Sequence, residues 1–229
     1  MRPLTDTCPK PLLQVGGKML IEYHLEKLAQ AGFTNVVINH AYLGSMIEAA
    51  LQDGKRYGLH IHYSPETLVL ETAGGIANAL PLLTTPDKNQ PFAAINADIF
   101  CDMDFSILQP IMQQMQSNPG KTLAHLILVD NPPHHPKGDF FLHDDTGKLV
   151  ESAHPDCRKL TFSGIGVYHP VLFENVPSGR AEKLAPLLRQ AIAAGKATGS
   201  YFPGLWLDIG TPERLHQLDT TLNRSGRHT

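Results

Sequence analysis

The sequence predicts an α/β fold, a mainly parallel sheet with helices on both faces and a smaller β region inserted late in the chain. Three observations carry this. From Met19 to Val129, amphipathic segments closed by glycine alternate with short apolar strands. Two apolar runs end on a carboxylate, Asp98 after "AAIN" and Asp208 after "LWL", where an open α/β sheet binds its ligand. After Asn131 the rhythm changes to closely spaced short strands. The 229 residues, 42% apolar and 18% charged, suffice for one sizeable core, read as a single domain over 1–229 with 131–168 as the β region.

The opening "MRPLTDTCPKPLLQVGG" reads as a loop. Pro3, Pro9 and Pro11 lack an amide donor and hold their neighbours out of the helical region. In "MLIEYHLEKLAQAG", Ile21, Leu25 and Leu28 share one helical face, and Gly32 closes the helix. "NVVIN" reads as a buried strand. "LGSMIEAALQDG" places Leu43, Ile47, Ala50 and Leu51 on a second helical stripe. "LHIHYS" alternates as a strand, and "AGGIANALPLL" reads as a glycine-opened helix stopping near Pro81. "PFAAINADI", apolar until Asn96 and Asp98, is the expected central strand.

A helix around Leu108, Ile111, Met112 and Met115 follows, then the strand "LAHLILV". Further strands are "DFFLHDD", "KLVESA" and "LTFSGIGVY", with turn residues Asp145–Gly147 marking a hairpin. The last part reads as a helix over Lys183–Ala194, the strand "LWLDIG" and a helix starting at "TPE" from Pro212. The tail "NRSGRHT" is expected to fray.

Several function classes are disfavoured by composition. A net charge of -3 gives no basic face for nucleic acid. No apolar run approaches the roughly 18 residues of a membrane span, and the N-terminus lacks a signal-peptide core, so no membrane role and a cytoplasmic location are expected. Cys8, Cys101 and Cys157 show no paired spacing and read as reduced thiols. Among twelve histidines, the adjacent His134 and His135 sit between prolines, and His60 and His62 lack a nearby acid. They read as solvated or core-satisfied groups. No Walker loop, dinucleotide fingerprint or nucleophile elbow occurs.

Three features carry chemistry. Asp98 or Asp208 alone is an ordinary turn cap, but together they suit a hard divalent cation that keeps waters and takes phosphate oxygens. Lys10, bracketed by prolines, suits phosphate as a point charge, although taken alone a solvated loop lysine is the better reading. The glycine pair of "LETAGGIANAL" either exposes helix N-terminal amides to a ligand or permits tight packing.

"PLTDTCPKPLL", "LETAGGI", "INADIF", "TFSGIGVYHP" and "WLDIGTPERL", in that order, resemble the sugar-1-phosphate nucleotidyltransferases along nearly the whole chain. "VINHAYLG", "DNPPHHPKGDF" and "KLAPLLRQAIAAGK" are similar to the family's peptidoglycan-recycling uridylyltransferases. The resemblance implies a Rossmann-like, GT-A-like mixed sheet flanked by helices, with a small β-hairpin region on the sugar side. It implies a strand and glycine-rich turn ahead of Met1. The implied reaction transfers UMP from UTP to a sugar 1-phosphate, N-acetylmuramate 1-phosphate favoured, by a monomer or weak homo-oligomer. Mannose- or glucose-1-phosphate enzymes, or a catalytically impaired nucleotide-sugar binder, are the alternatives.

By the same resemblance, Lys10, Asp98 and Asp208 are catalytic, and Asp98 and Asp208 hold magnesium (Mg2+). Lys10 contacts the phosphates, with Asn39, Glu71, Ala73, Gly74, Gly75 and Asn96 on the nucleotide. Asp98, Asp139, Glu151 and Gly164 are implied on the sugar.

Overall fold

A computed structural model of the chain describes residues 1–84 and 89–225. In chain order the elements begin with α1 (Leu4–Thr7), β1 (Gln14–Val15), β2 (Lys18–Met19), α2 (Leu20–Gln30), β3 (Asn35–His40), α3 (Gly44–Leu51) and β4 (His60–Pro65). They continue with α4 (Glu71–Leu83), β5 (Phe92–Ile95), β6 (Ile99–Cys101), α5 (Leu108–Ser117), β7 (Ala124–Val129), β8 (Phe140–His143), β9 (Leu149–Val150) and β10 (Cys157–Tyr168). The last are α6 (Leu184–Ala193), β11 (Ala197–Tyr201), β12 (Trp206–Asp208) and α7 (Pro212–Ser225). Contacts divide the chain into two compact units.

The first unit comprises Met1–Pro65, Asn96–Ser106 and the chain from Gly204. The stripe read from the sequence is the buried face of α2: Ile21, Leu25 and Leu28 are all buried. Ile21 and Leu25 pack with Leu12, Ile38, Ile47, Leu51, Leu59 and Ile61. Glu22 starts α2 by accepting the Met19 amide at 2.7 Å. Gly32, at φ +84, ends it, with the Phe33 amide returning to the Leu28 carbonyl at 3.0 Å. β3 and β4 pair in parallel from Asn35–His60 to His40–Pro65. β6 pairs antiparallel with β12, and Phe100 and Ile209 pack with Val15, Leu20 and Leu218 in a second cluster.

The second unit comprises Glu66–Ile95 and Ile107–Pro203. Its six-stranded sheet runs β11-β7-β10-β8-β9, with β5 also on β10. Only β11–β7 is parallel. The long β10 serves β8 with its first residues, and β7 and β5 with its last. Residues of α4 and α6 (Ala73, Ile76, Leu184, Leu188, Ala191, Ile192) join Leu126, Leu128, Phe140, Leu142 and Tyr168 in one core.

Four expectations change. "PFAAINADI" is two strands rather than one central strand, because Asn96–Asp98 breaks out of the extended run; asparagine and aspartate favour such turns. Pro81 does not stop α4, which runs to Leu83. Lying in the last turn, it removes only one helical donor. The predominantly parallel sheet is mixed, because β10 runs antiparallel to all its neighbours. Asn223–Ser225 of the expected frayed tail are helical, and 226–229 lie outside the described residues. The β1–β2 hairpin and β11 had no apolar alternation to mark them. Among the described residues no helix is long and apolar enough to cross a membrane.

Candidate active site

In the first unit the paired strands β6 and β12 bring Asp98 and Asp208 together. Asp208 stands opposite Ile99, and the Ile209 amide donates to the Asp98 carbonyl at 2.9 Å. One chain step plus one cross-strand step keeps their Cα atoms within about 9 Å. Each carboxylate meets a cation. Lys10 Nζ donates to Asp98 Oδ2 at 2.7 Å. Arg214 donates to Asp208 Oδ2 at 2.6 Å and to the Asp208 carbonyl at 3.0 Å.

The sequence explains both placements. Pro9 and Pro11 set Lys10 at the head of a tight 3-10 turn whose Leu12 is buried. Thr211 caps α7 through the Arg214 amide at 3.3 Å, and Pro212 opens the helix. Gly210 leaves room for the guanidinium: a Cβ there would lie 2.8 Å from an Arg214 nitrogen. Asn39 lies in β3 opposite Ser64, and Asn96 is exposed at the β5–β6 break. No three His, Cys, Asp or Glu side chains among the described residues gather as a metal-binding group. A cation here would rest on two carboxylates and take its other ligands from water and substrate oxygen.

In the second unit, Glu71 opens α4 at φ +58, a conformation non-glycine residues rarely adopt. The amides of Ala73 and Gly74 donate to the Glu182 carbonyl at 2.9 and 3.1 Å. A Cβ on Gly74 would lie 2.2 Å from the Arg180 carbonyl. Of the two readings open for this glycine pair, Gly74 serves close packing of the chain's own backbone. Asp139 is held at both oxygens, accepting from His135 Nε2 and from the Phe162 amide, each at 2.9 Å. Gly164, at φ +83, lies where the β10–β7 register shifts, so the strand bulges beside Asp139's anchor. Glu151 is exposed just after β9.

A family model described as nucleotidyl transferase matches residues 1–225. The chain belongs to the nucleotidyl transferase family. Within it, the chain is similar to the N-acetylmuramate alpha-1-phosphate uridylyltransferase of Neisseria meningitidis serogroup B. The two are 51% identical over 221 residues, covering 95% of this chain and 90% of the relative. It is less similar, at 28%, to mannose-1-phosphate guanyltransferase beta-B of Xenopus laevis, covering 93% of this chain and 58% of that protein.

Among solved structures, an apo UDP-glucose pyrophosphorylase aligns with a TM-score of 0.73 at 17% identity, over 99% of this chain and 94% of that one. HddC of Yersinia pseudotuberculosis, complexed with GMP-PN, aligns at 0.72 and 18%, over 96% and 93%. At such identities the likeness establishes the fold, the expected GT-A-like α/β architecture of this family.

Arg214 was missed at the sequence level, although "TPERL" carried a signal. A cation in the first turn of a helix opposes the helix dipole, so it needs a local anion, and Asp208 is that anion.

Proposed function

We propose that this family member transfers UMP from UTP to a sugar 1-phosphate, N-acetylmuramate 1-phosphate first among them, giving a UDP-sugar and pyrophosphate. The observation that carries the reading is the 51% identity to the meningococcal uridylyltransferase along 95% of the chain. One family model spanning residues 1–225 supports treating both units as parts of one catalytic domain. A cytoplasmic location, where UTP is made, goes with this reading.

In the proposed reaction a phosphate oxygen of the acceptor attacks the α-phosphorus of UTP in line. The bond from that phosphorus to the pyrophosphate oxygen breaks, and no covalent enzyme intermediate is needed. The protein's work is then positioning and charge neutralisation. Lys10, held near Asp98 before substrate arrives, supplies a fixed positive charge for phosphate oxygens. Arg214 holds the Asp208 carboxylate in one orientation.

Two carboxylates at the ends of paired strands, without a third protein carboxylate, histidine or cysteine gathered there among the described residues, fit magnesium in the way that ion is held beside phosphates. Asp98 and Asp208 would hold it. The chemistry it supplies is neutralisation of charge on the α-phosphate. Asn39, Glu71, Asn96 and the Ala73–Gly75 turn are assigned to the nucleotide. With the Ala73 and Gly74 amides engaged by Glu182, that turn offers shape more than donors. Asp98, Asp139, Glu151 and Gly164 are assigned to the sugar. The segment from His134 to Gly138, with Lys137, supplies cationic and amide donors for a lactyl carboxylate.

The test is pyrophosphate release with UTP, GTP and dTTP against the 1-phosphates of N-acetylmuramate, N-acetylglucosamine, glucose and mannose. The expected best pair is UTP with N-acetylmuramate 1-phosphate. Preference for mannose or glucose 1-phosphate would overturn the substrate, and binding without turnover would overturn the enzyme.

A further inference from the structure

The carbonyl of Ile99 has no rung in the β6–β12 ladder. Asp98 accepts from Ile209, and the Asp102 amide donates to Leu205 at 3.0 Å, so the hydrogen-bonded pairs alternate and skip Ile99. Ile99 faces Asp208 as a non-hydrogen-bonded pair, and its carbonyl points away from β12, the one strand that pairs with β6 among the described residues. The residue is 3% exposed. A buried carbonyl needs a donor from somewhere.

His24 is that donor. Its Nε2 lies 2.9 Å from the Ile99 carbonyl oxygen. A carbonyl can only accept, so Nε2 carries the proton and Nδ1 is a bare lone pair. That Nδ1 is buried with no hydrogen-bond partner among the described residues. The ring lies near-parallel to Phe105 at 6.1 Å between centroids, and the residue is 4% exposed. The position belongs to the buried face of α2, where leucine would pack as well but would leave the Ile99 carbonyl without this donor. One turn further along α2, Lys27 Nζ donates to the Met103 carbonyl at 3.1 Å. α2 thus grips both ends of the stretch from Ile99 to Met103.

We propose that His24 is a positioning residue for the carboxylate pair: by holding the Ile99 carbonyl it fixes the residue that is bonded to Asp98 and paired with Asp208. The inference rests on the reading of those two aspartates given above. A buried polar group spent on the backbone between two carboxylates is explained by the precision they need. Partners that orient such ligands typically matter by about 10–100-fold in activity.

The experiment compares His24→Leu with His24→Gln, whose amide nitrogen reaches the place of Nε2. The leucine variant should lose about 10–100-fold in kcat with KM for UTP little changed, and glutamine should restore most of kcat. An independent readout is the ring 15N shifts of His24 in the wild-type protein, which should show protonated Nε2 and unprotonated Nδ1. A leucine variant with wild-type kcat, or a glutamine variant as impaired as leucine, would overturn the inference alone. So would a ring protonated on Nδ1. Should the leucine variant not fold, the glutamine variant and the ring tautomer decide by the same outcomes. A wild type inactive on every nucleotide–sugar pair would overturn the reading of the aspartates as well.

Discussion

Replacing Gly74 by alanine sets two opposed effects against each other. Alanine is favoured over glycine within a helix by about 1 kcal/mol. Against that, the new Cβ would lie 2.2 Å from the Arg180 carbonyl oxygen and 3.1 Å from the Glu182 amide nitrogen. Both are backbone atoms that cannot rotate away. The Arg180–Glu182 segment must lift, and three hydrogen bonds go with it. These are Ala73 and Gly74 to the Glu182 carbonyl at 2.9 and 3.1 Å, and the Glu182 amide to the Leu70 carbonyl at 3.0 Å.

At about 0.5–1.5 kcal/mol net for each bond, the loss is about 2–4 kcal/mol. Subtracting the helix gain leaves a destabilisation of about 1–3 kcal/mol. For a chain of this length that lowers Tm by roughly 2–4 °C per kcal/mol, read by thermal circular dichroism. Arg180→Ala is the control, because the clash is with main chain and truncating that exposed side chain should leave Tm within error. A Gly74→Ala protein as stable as wild type, or more so, would refute the seating of this segment on α4.

Four further outcomes are expected. Burial holds the imidazoles of His24 and His125 down to about 4, below the ordinary 6.5. The unfolded chain therefore binds more protons below pH 6.5, and stability should be fully present above that pH and fall toward pH 4. The loss is roughly 2 kcal/mol for each histidine by pH 5. A urea midpoint that stays flat from pH 7 to 5 would contradict this. Asp208→Asn should cut kcat by about 100-fold or more with only a modest fall in Tm, since asparagine keeps an acceptor oxygen for Arg214 in this partly buried pair. Unchanged pyrophosphate release would remove it from the reacting centre. Lys10→Met should likewise fold normally but raise KM for UTP and lower kcat, and wild-type kinetics would return it to the status of a loop lysine. Lys137→Ala should reduce the preference for N-acetylmuramate over N-acetylglucosamine 1-phosphate by about tenfold, the worth of one hydrogen bond to a charged group. An unchanged ratio would place the carboxylate contact elsewhere.

What could be read along the chain is whatever neighbouring residues decide among themselves. Ile21, Leu25 and Leu28 recur at helical spacing and form the face α2 buries. Gly32 ends that helix because glycine reaches positive φ without strain. Asp145–Gly147 turns β8 into β9, and "TPE" starts α7, through local backbone preferences alone. The ordered motifs were legible for the same reason, and with them the family.

Tertiary structure decided the rest. The adjacency of Asp98 and Asp208 depends on β6 pairing with β12 from a distant part of the chain. No periodicity encodes that pairing. Gly74 could have served a ligand or the chain itself, and only the arrival of Arg180–Glu182 chose. Nothing along the chain distinguishes His24; its role follows from the Ile99 carbonyl that the fold sets against it. Local propensity acts over a few residues, whereas a buried polar group takes its meaning from whichever distant segment must satisfy it.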